Sequence, residues 1–147
     1  MAVSFVKPWT SLLAPNEPVS SLLPTLDVAF AAVDGRLLLE TFLLDSGADI
    51  SLAPRQLCDE LGLDWEAGEP INLNGISPRP ECAVPAKIFE VELLVPDIAV
   101  ALTIPVCFAD GDTSQLLGRE GFFDFFRITF DKQRLTTQFQ LIEEPDA

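Results

Sequence analysis

A chain of 147 residues is long enough to bury one real hydrophobic core and too short for two. Its 9 basic residues against 23 acidic ones give a formal net charge of −14, which argues against nucleic acid or an anionic membrane as a partner. The absence of histidine removes Ser-His and Cys-His nucleophile pairs and every histidine-containing metal site.

Residues 1–24 carry Pro8, Pro15, Pro18 and Pro24 among several serines, which predicts an extended arm rather than a packed element. Phe5, Trp9, Leu12 and Leu13 still favour docking somewhere, because apolar side chains of that size are costly to leave in water. A removable pro-segment, an interface strand and a tether all fit this arm. The domain proper is expected over residues 25–142, with residues 143–147 as a solvated acidic tail. Leu26, Val28 and Phe30 alternate with Asp27 and Ala29, the pattern of a half-buried strand. Asp34-Gly35 signals a hairpin turn, and Leu37 to Leu44 returns as a strand with so little polar relief that it should be covered on both faces.

Ile50 to Ala53 is a short strand, and Pro54 opens a helix that Gly62 ends, with Leu57 and Leu61 on its packing face. Residues 64–82 hold Gly68, Pro70, Gly75, Pro78 and Pro80 around a thin strand, Ile71 to Leu73, and read as a mobile hairpin or loop. Ala86 to Leu94 and Ile98 to Phe108 are strands about a Pro96-Asp97 turn, with Lys87, Glu90 and Glu92 toward water. Leu116-Leu117-Gly118 is a buried strand that stops at glycine. Glu120 to Phe125 allows a turn or two of helix, and Arg127 to Phe130 with Leu135 to Leu141 form a closing hairpin. Many short strands, one or two short helices and no alternation of strand and helix define an all-β, closed β-barrel.

Cys58, Cys82 and Cys107 stand singly, with no CxxC pair, so they read as buried free thiols of a reducing compartment rather than a zinc site or disulfide framework. The N-terminal stretch is broken by prolines before any signal core, and no apolar run reaches the roughly 18 residues of a membrane span. A soluble, cytoplasmic protein without a membrane partner is expected.

One stretch, LLLETFLLDSGADISLAP from Leu37 to Pro54, drives an aspartate out of an apolar strand into a Ser-Gly turn and back into apolar residues. Asp45 is either a turn residue or a working acid, since Asp, Ser and Gly are ordinary turn formers. A turn between two buried strands points inward, and a buried carboxylate is costly without a partner. About 70 residues on comes Leu116-Leu117-Gly118-Arg119. The two elements together resemble the retropepsin-like aspartic proteases, whose half-barrel carries hydrophobic-hydrophobic-Asp-Ser/Thr-Gly-Ala and later hydrophobic-hydrophobic-Gly, often followed by Arg. Asp49, four positions after Asp45, and Arg119 occupy the places where that family sets an acid against the arginine, and Gly118-Arg119-Glu120-Gly121-Phe122-Phe123-Asp124 resembles its C-terminal helix.

The resemblance implies a retropepsin-like barrel over about residues 25–141 and an aspartic endopeptidase with Asp45 as its catalytic carboxylate. Such chemistry needs two facing carboxylates that share one proton. The chain holds one DSGA, so the partner it implies is a second copy of itself, a homodimer that brings two Asp45 side chains together across a two-fold axis. Ser46, Gly47, Ala48, Asp49, Gly118 and Arg119 become supports of the catalytic loop. A flap is expected between Ile71 and Pro85, with Asn74, Gly75 and Ile76 near its tip. The single glycine there and the prolines beyond depart from the glycine-rich retroviral pattern. Ala48, Ile50, Ile76, Val106 and Leu116 are the expected apolar walls for a protein or peptide substrate. No metal or cofactor is required. A rival keeps the fold and drops the chemistry, making the domain a catalytically silent binding or assembly module. Another treats Asp45 to Ser51 as an exposed phosphorylation-dependent recognition peptide, which its flanking leucine strands disfavour.

Overall fold

The computed structural model describes residues 3–11, 22–73, 84–111 and 113–142. Along them run β1 (Ser4–Pro8), β2 (Thr10–Ser11), β3 (Leu22–Leu23), β4 (Thr25–Ala31), β5 (Leu37–Leu44), β6 (Ser51–Pro54), helix α1 (Arg55–Glu60), a 3-10 turn (Trp65–Ala67), β7 (Glu69–Leu73), β8 (Val84–Val95), β9 (Val100–Ala109), β10 (Leu116–Leu117), helix α2 (Phe122–Phe125), β11 (Phe126–Asp131) and β12 (Thr136–Leu141). The architecture is all-β with two short helices, as the strand punctuation predicts.

The main sheet has the order β4-β5-β10-β6-β9-β8-β7, and β4 pairs a second time with β8 through Ala29↔Leu94 and Phe30↔Leu93. Every strand of that sheet except β7 therefore lies in a closed ring, which leaves no free edge between β4 and β8. Alternation along β4 sends Leu26, Val28 and Phe30 inward, where they meet Phe42 and Leu44 of β5, Leu93 of β8 and Leu102 and Ile104 of β9. Helix α1 closes one side with Leu57 and Leu61. It starts after Pro54 and ends at Gly62, whose φ of +79° is the left-handed conformation that favours glycine. Each large side chain so buried contributes about 1.5–3 kcal/mol.

Strand β5 is covered differently from the expectation. Phe42 and Leu44 are buried, but Leu37 and Leu39 are 60% and 64% exposed. Its apolar run is two-sided only near the end that carries the DSGA turn, because Leu37 and Leu39 project to the outside of the ring, on the face opposite the core.

A second sheet, β1-β12-β11, is antiparallel throughout. Residues Ser4–Pro8 of the N-terminal arm are thus a packed strand, not a loose extension: Phe5 pairs with Phe139 in register and stacks on its ring with centroids 4.6 Å apart. Lys87, expected in water, is half-buried, its ammonium 5.9 Å from the Trp65 ring centroid and the Arg55 guanidinium 4.3 Å from the same ring. Arg55 also pairs with Asp110 at 3.2 Å, which ties α1 to the end of β9. The acidic tail at 143–147 lies outside the described residues. Among the described residues no helix is long and apolar enough to cross a membrane.

Cys58 and Cys107 are free and fully buried; Cys82 lies outside the described residues. Burial pushes both thiols up to about 11. Because the folded value lies above the unfolded one, near 9.0, their contribution to stability is complete below that pH and is lost as pH rises toward about 11. At pH 8 a thiol reagent is expected to label Cys58 and Cys107 only as fast as the native protein unfolds. Mass-spectrometric mapping of labelled peptides checks this, and prompt labelling of either residue in folded protein would contradict it.

Candidate active site

Strand β5 reaches the DSGA turn bonded on both edges. The Leu43 N–H donates to the Gln115 carbonyl at 2.9 Å, the Leu44 N–H to the Pro24 carbonyl at 2.8 Å, and the Asp45 N–H to the Leu117 carbonyl at 3.0 Å. Successive donors point to opposite sides, so the segment 115–117 forms one rail and the segment before β4 the other. The side-chain amide of Gln115 adds a bond to the Thr41 carbonyl at 2.9 Å.

The turn is closed by Asp45 itself. Its carbonyl accepts from the Ala48 N–H at 3.1 Å, and its carboxylate Oδ1 accepts from the Gly47 N–H at 2.9 Å, so aspartate acts as turn former and exposed acid together. Asp45 is half-exposed, with Oδ2 left without a partner among the described residues, while Ser46 and Gly47 are exposed. The turn-former reading of Asp45 thus holds in this geometry.

The return path is fastened to the Leu-Leu-Gly-Arg segment. The Arg119 N–H donates to the Ala48 carbonyl and the Glu120 N–H to the Asp49 carbonyl, both at 2.9 Å, and the guanidinium of Arg119 pairs with the Asp49 carboxylate. Gly118 sits where no side chain fits: a Cβ there would lie 2.5 Å from the Ile50 carbonyl carbon and 2.6 Å from its oxygen. Its N–H donates to the Ser51 hydroxyl at 3.0 Å, and Ser51 is fully buried. Sequence reading missed Ser51, although a hydroxyl enclosed in the apolar strand Ile50 to Ala53 is itself a signal, since a buried hydroxyl needs a partner.

Of the expected apolar walls, Ile50 and Leu116 are half-buried and stand beside the turn, and Ala48 is half-buried within it. In register, Leu116 lies opposite Leu43 and Leu52, Leu52 opposite Cys107, and Cys107 opposite Ile88, so one continuous row crosses the sheet on the face away from the core. Ile50, Leu52, Val84 and Ile88 pack there around Ala86, Cys107 and Ala109. Val106 belongs to the other face. It pairs with Ser51, is fully buried and lies in the main core, while its neighbour Cys107 is buried beneath Ile50, Leu52, Val84 and Ile88 on the opposite face. The sequence shows an unbroken apolar run there, and an unbroken run hides the parity that decides which side chains face which side. Asn74, Gly75 and Ile76 lie outside the described residues, but β7 and β8 pair from Glu69↔Ile88 to Leu73↔Val84 as the stems of a hairpin. Among the described residues no group of three or more acids or thiols is placed to hold a metal ion.

No protein-family model matches the chain, and no curated protein matches it in sequence. Among solved structures, the crystal structure of a retropepsin-like aspartic protease from Rickettsia conorii matches with a TM-score of 0.63. The match covers 96% of this chain and 92% of that one at 13% sequence identity. At that identity the likeness establishes the fold: the ring of strands is retropepsin-like.

Two substitutions separate the contacts that hold this turn. Gly118→Ala forces backbone against backbone and is expected to cost about 1–3 kcal/mol or more. Arg119→Ala breaks a pair whose side chains are 56% and 87% exposed, and is expected to cost no more than about 1 kcal/mol. Chemical denaturation of both variants checks the order, and an Arg119→Ala loss larger than that of Gly118→Ala would contradict it.

Proposed function

We propose that the protein is an aspartic endopeptidase that works as a homodimer, with one Asp45 from each subunit. The observation that carries this reading is the geometry of Asp45: a carboxylate fixed through Oδ1 by the Gly47 N–H, half in water, at the end of a strand bonded on both sides, in a retropepsin-like fold. A single subunit supplies one such acid, and the reaction needs two.

In the paired state the two carboxylates share one proton, because two adjacent negative charges are costly. The ionised member takes a proton from water as the water oxygen attacks the scissile carbonyl carbon, and the protonated member gives its proton to the carbonyl oxygen. Breakdown of the tetrahedral adduct releases a carboxylic acid and an amine, and no covalent enzyme intermediate forms. In the dimer, Ser46, exposed in the turn, would bond across to its twin, and Gly47 would allow close approach of backbone and substrate. Asp49 and Arg119 hold the turn and do not touch the reacting atoms. The row from Leu116 through Leu52 to Ile88, with Ile50 beside it, offers apolar walls to peptide side chains next to the scissile bond. A reducing compartment such as the cytoplasm suits free, buried Cys58 and Cys107.

Incubation with a random peptide library, read by mass spectrometry, tests the proposal. The wild type is expected to cleave between apolar residues. Asp45→Asn keeps the Gly47 bond acceptor and is expected to lower kcat by at least about 10⁴-fold while the fold persists, since it removes the group that takes and gives the proton. Cleavage that survives Asp45→Asn would remove the assignment, and a fully inactive wild type that still binds partners through this face would favour the silent module.

A further inference from the structure

We propose that residues 4–11 are a standing part of the apparatus that aims Asp45, with Thr10 as a positioning residue, rather than a pro-segment whose removal would free the site. The consequence for catalysis rests on the peptidase reading above; the structural part does not.

The Leu44 N–H, one residue before Asp45, has its partner in the Pro24 carbonyl at 2.8 Å. Pro24 follows β3, and β3 is held by β2 through Thr10↔Leu23 and Ser11↔Leu22. The Thr10 hydroxyl lies 2.5 Å from the hydroxyl of Thr25, a residue 4% exposed that pairs with Leu43 across β4 and β5. Thr10 thus grips both ends of the short stretch that presents the Pro24 carbonyl to the catalytic strand. Its own position is fixed from the opposite side. The preceding Trp9 donates its N–H to the Leu135 carbonyl and its indole Nε1–H to the Thr137 hydroxyl, both at 2.9 Å, and β1 is anchored on β12 by the Phe5–Phe139 stack. One of the two rails beside Asp45 therefore ends in the N-terminal strand. Without residues 4–11, the Thr25 hydroxyl loses its Thr10 partner and β3 loses the strand it pairs with. A small displacement of an aimed carboxylate is expensive for the reaction even where the fold survives.

The test uses the full-length chain with Thr10→Val, which removes the hydroxyl at similar volume, and Thr10→Ser, which retains it. Amide exchange followed by NMR is expected to quicken about tenfold at Leu44 and Asp45 in Thr10→Val, with the ring amides of Leu102 and Ile104 unchanged. Peptide cleavage by that variant is expected to lose about tenfold in kcat with KM held within about twofold, while Thr10→Ser behaves as wild type in both measurements. Unchanged exchange at Leu44 in Thr10→Val, or Thr10→Ser as impaired as Thr10→Val, would overturn the proposal. Should the wild type cleave nothing, the peptidase reading fails, and the exchange measurement still decides the role of Thr10.

Discussion

Backbone contact between Gly118 and Ile50 is the constraint on which the site is built. A methyl group at Gly118 would lie 2.5 Å from the Ile50 carbonyl carbon, so the two segments meet at a distance only glycine permits. That approach lets Asp45 bond to Leu117, Arg119 to Ala48, Glu120 to Asp49 and Gly118 to Ser51. Residues near 45–51 and 117–120 are far apart along the chain, and the loop-closure entropy between them is recovered only when the ring of strands has formed. The turn is therefore a product of the closed sheet, and its rigidity is borrowed from the core beneath it.

Electrostatics play a different part. The Asp49–Arg119 pair is largely exposed and adds little to stability, but it fixes the side of the turn through which the chain returns to β6. Asp45 stays half in water in one subunit. In the proposed mechanism, sharing a proton requires a second carboxylate in contact, so assembly rather than burial would be the step that equips the acid for chemistry. A net charge of −14 on each copy opposes that assembly, and the opposition weakens as carboxylates protonate.

Much of this was legible in the sequence because it is written in local patterns. Alternation placed β4, Asp34-Gly35 placed its hairpin, Pro54 and Gly62 bracketed α1, and the DSGA and Leu-Leu-Gly-Arg segments identified the two halves of the turn. What escaped depends on non-local pairing. The arm's prolines concealed a strand because Ser4–Pro8 is ordered by β12, more than a hundred residues later. Val106 was assigned to the wrong face because an uninterrupted apolar strand carries no parity, whereas its pairing with Ser51 settles it. The leucines of β5 promised cover on both faces, yet Leu37 and Leu39 are outside the ring and open to solvent.

Subunit mixing bears most directly on the paired-aspartate mechanism. Wild-type and Asp45→Asn chains are unfolded together, refolded at a fixed total concentration in varying ratio, and assayed for peptide cleavage. If each active site takes one carboxylate from each of two copies, activity per wild-type chain falls in proportion to the wild-type fraction. Activity per wild-type chain that stays constant as the variant is added would show that one chain suffices, and would contradict the mechanism.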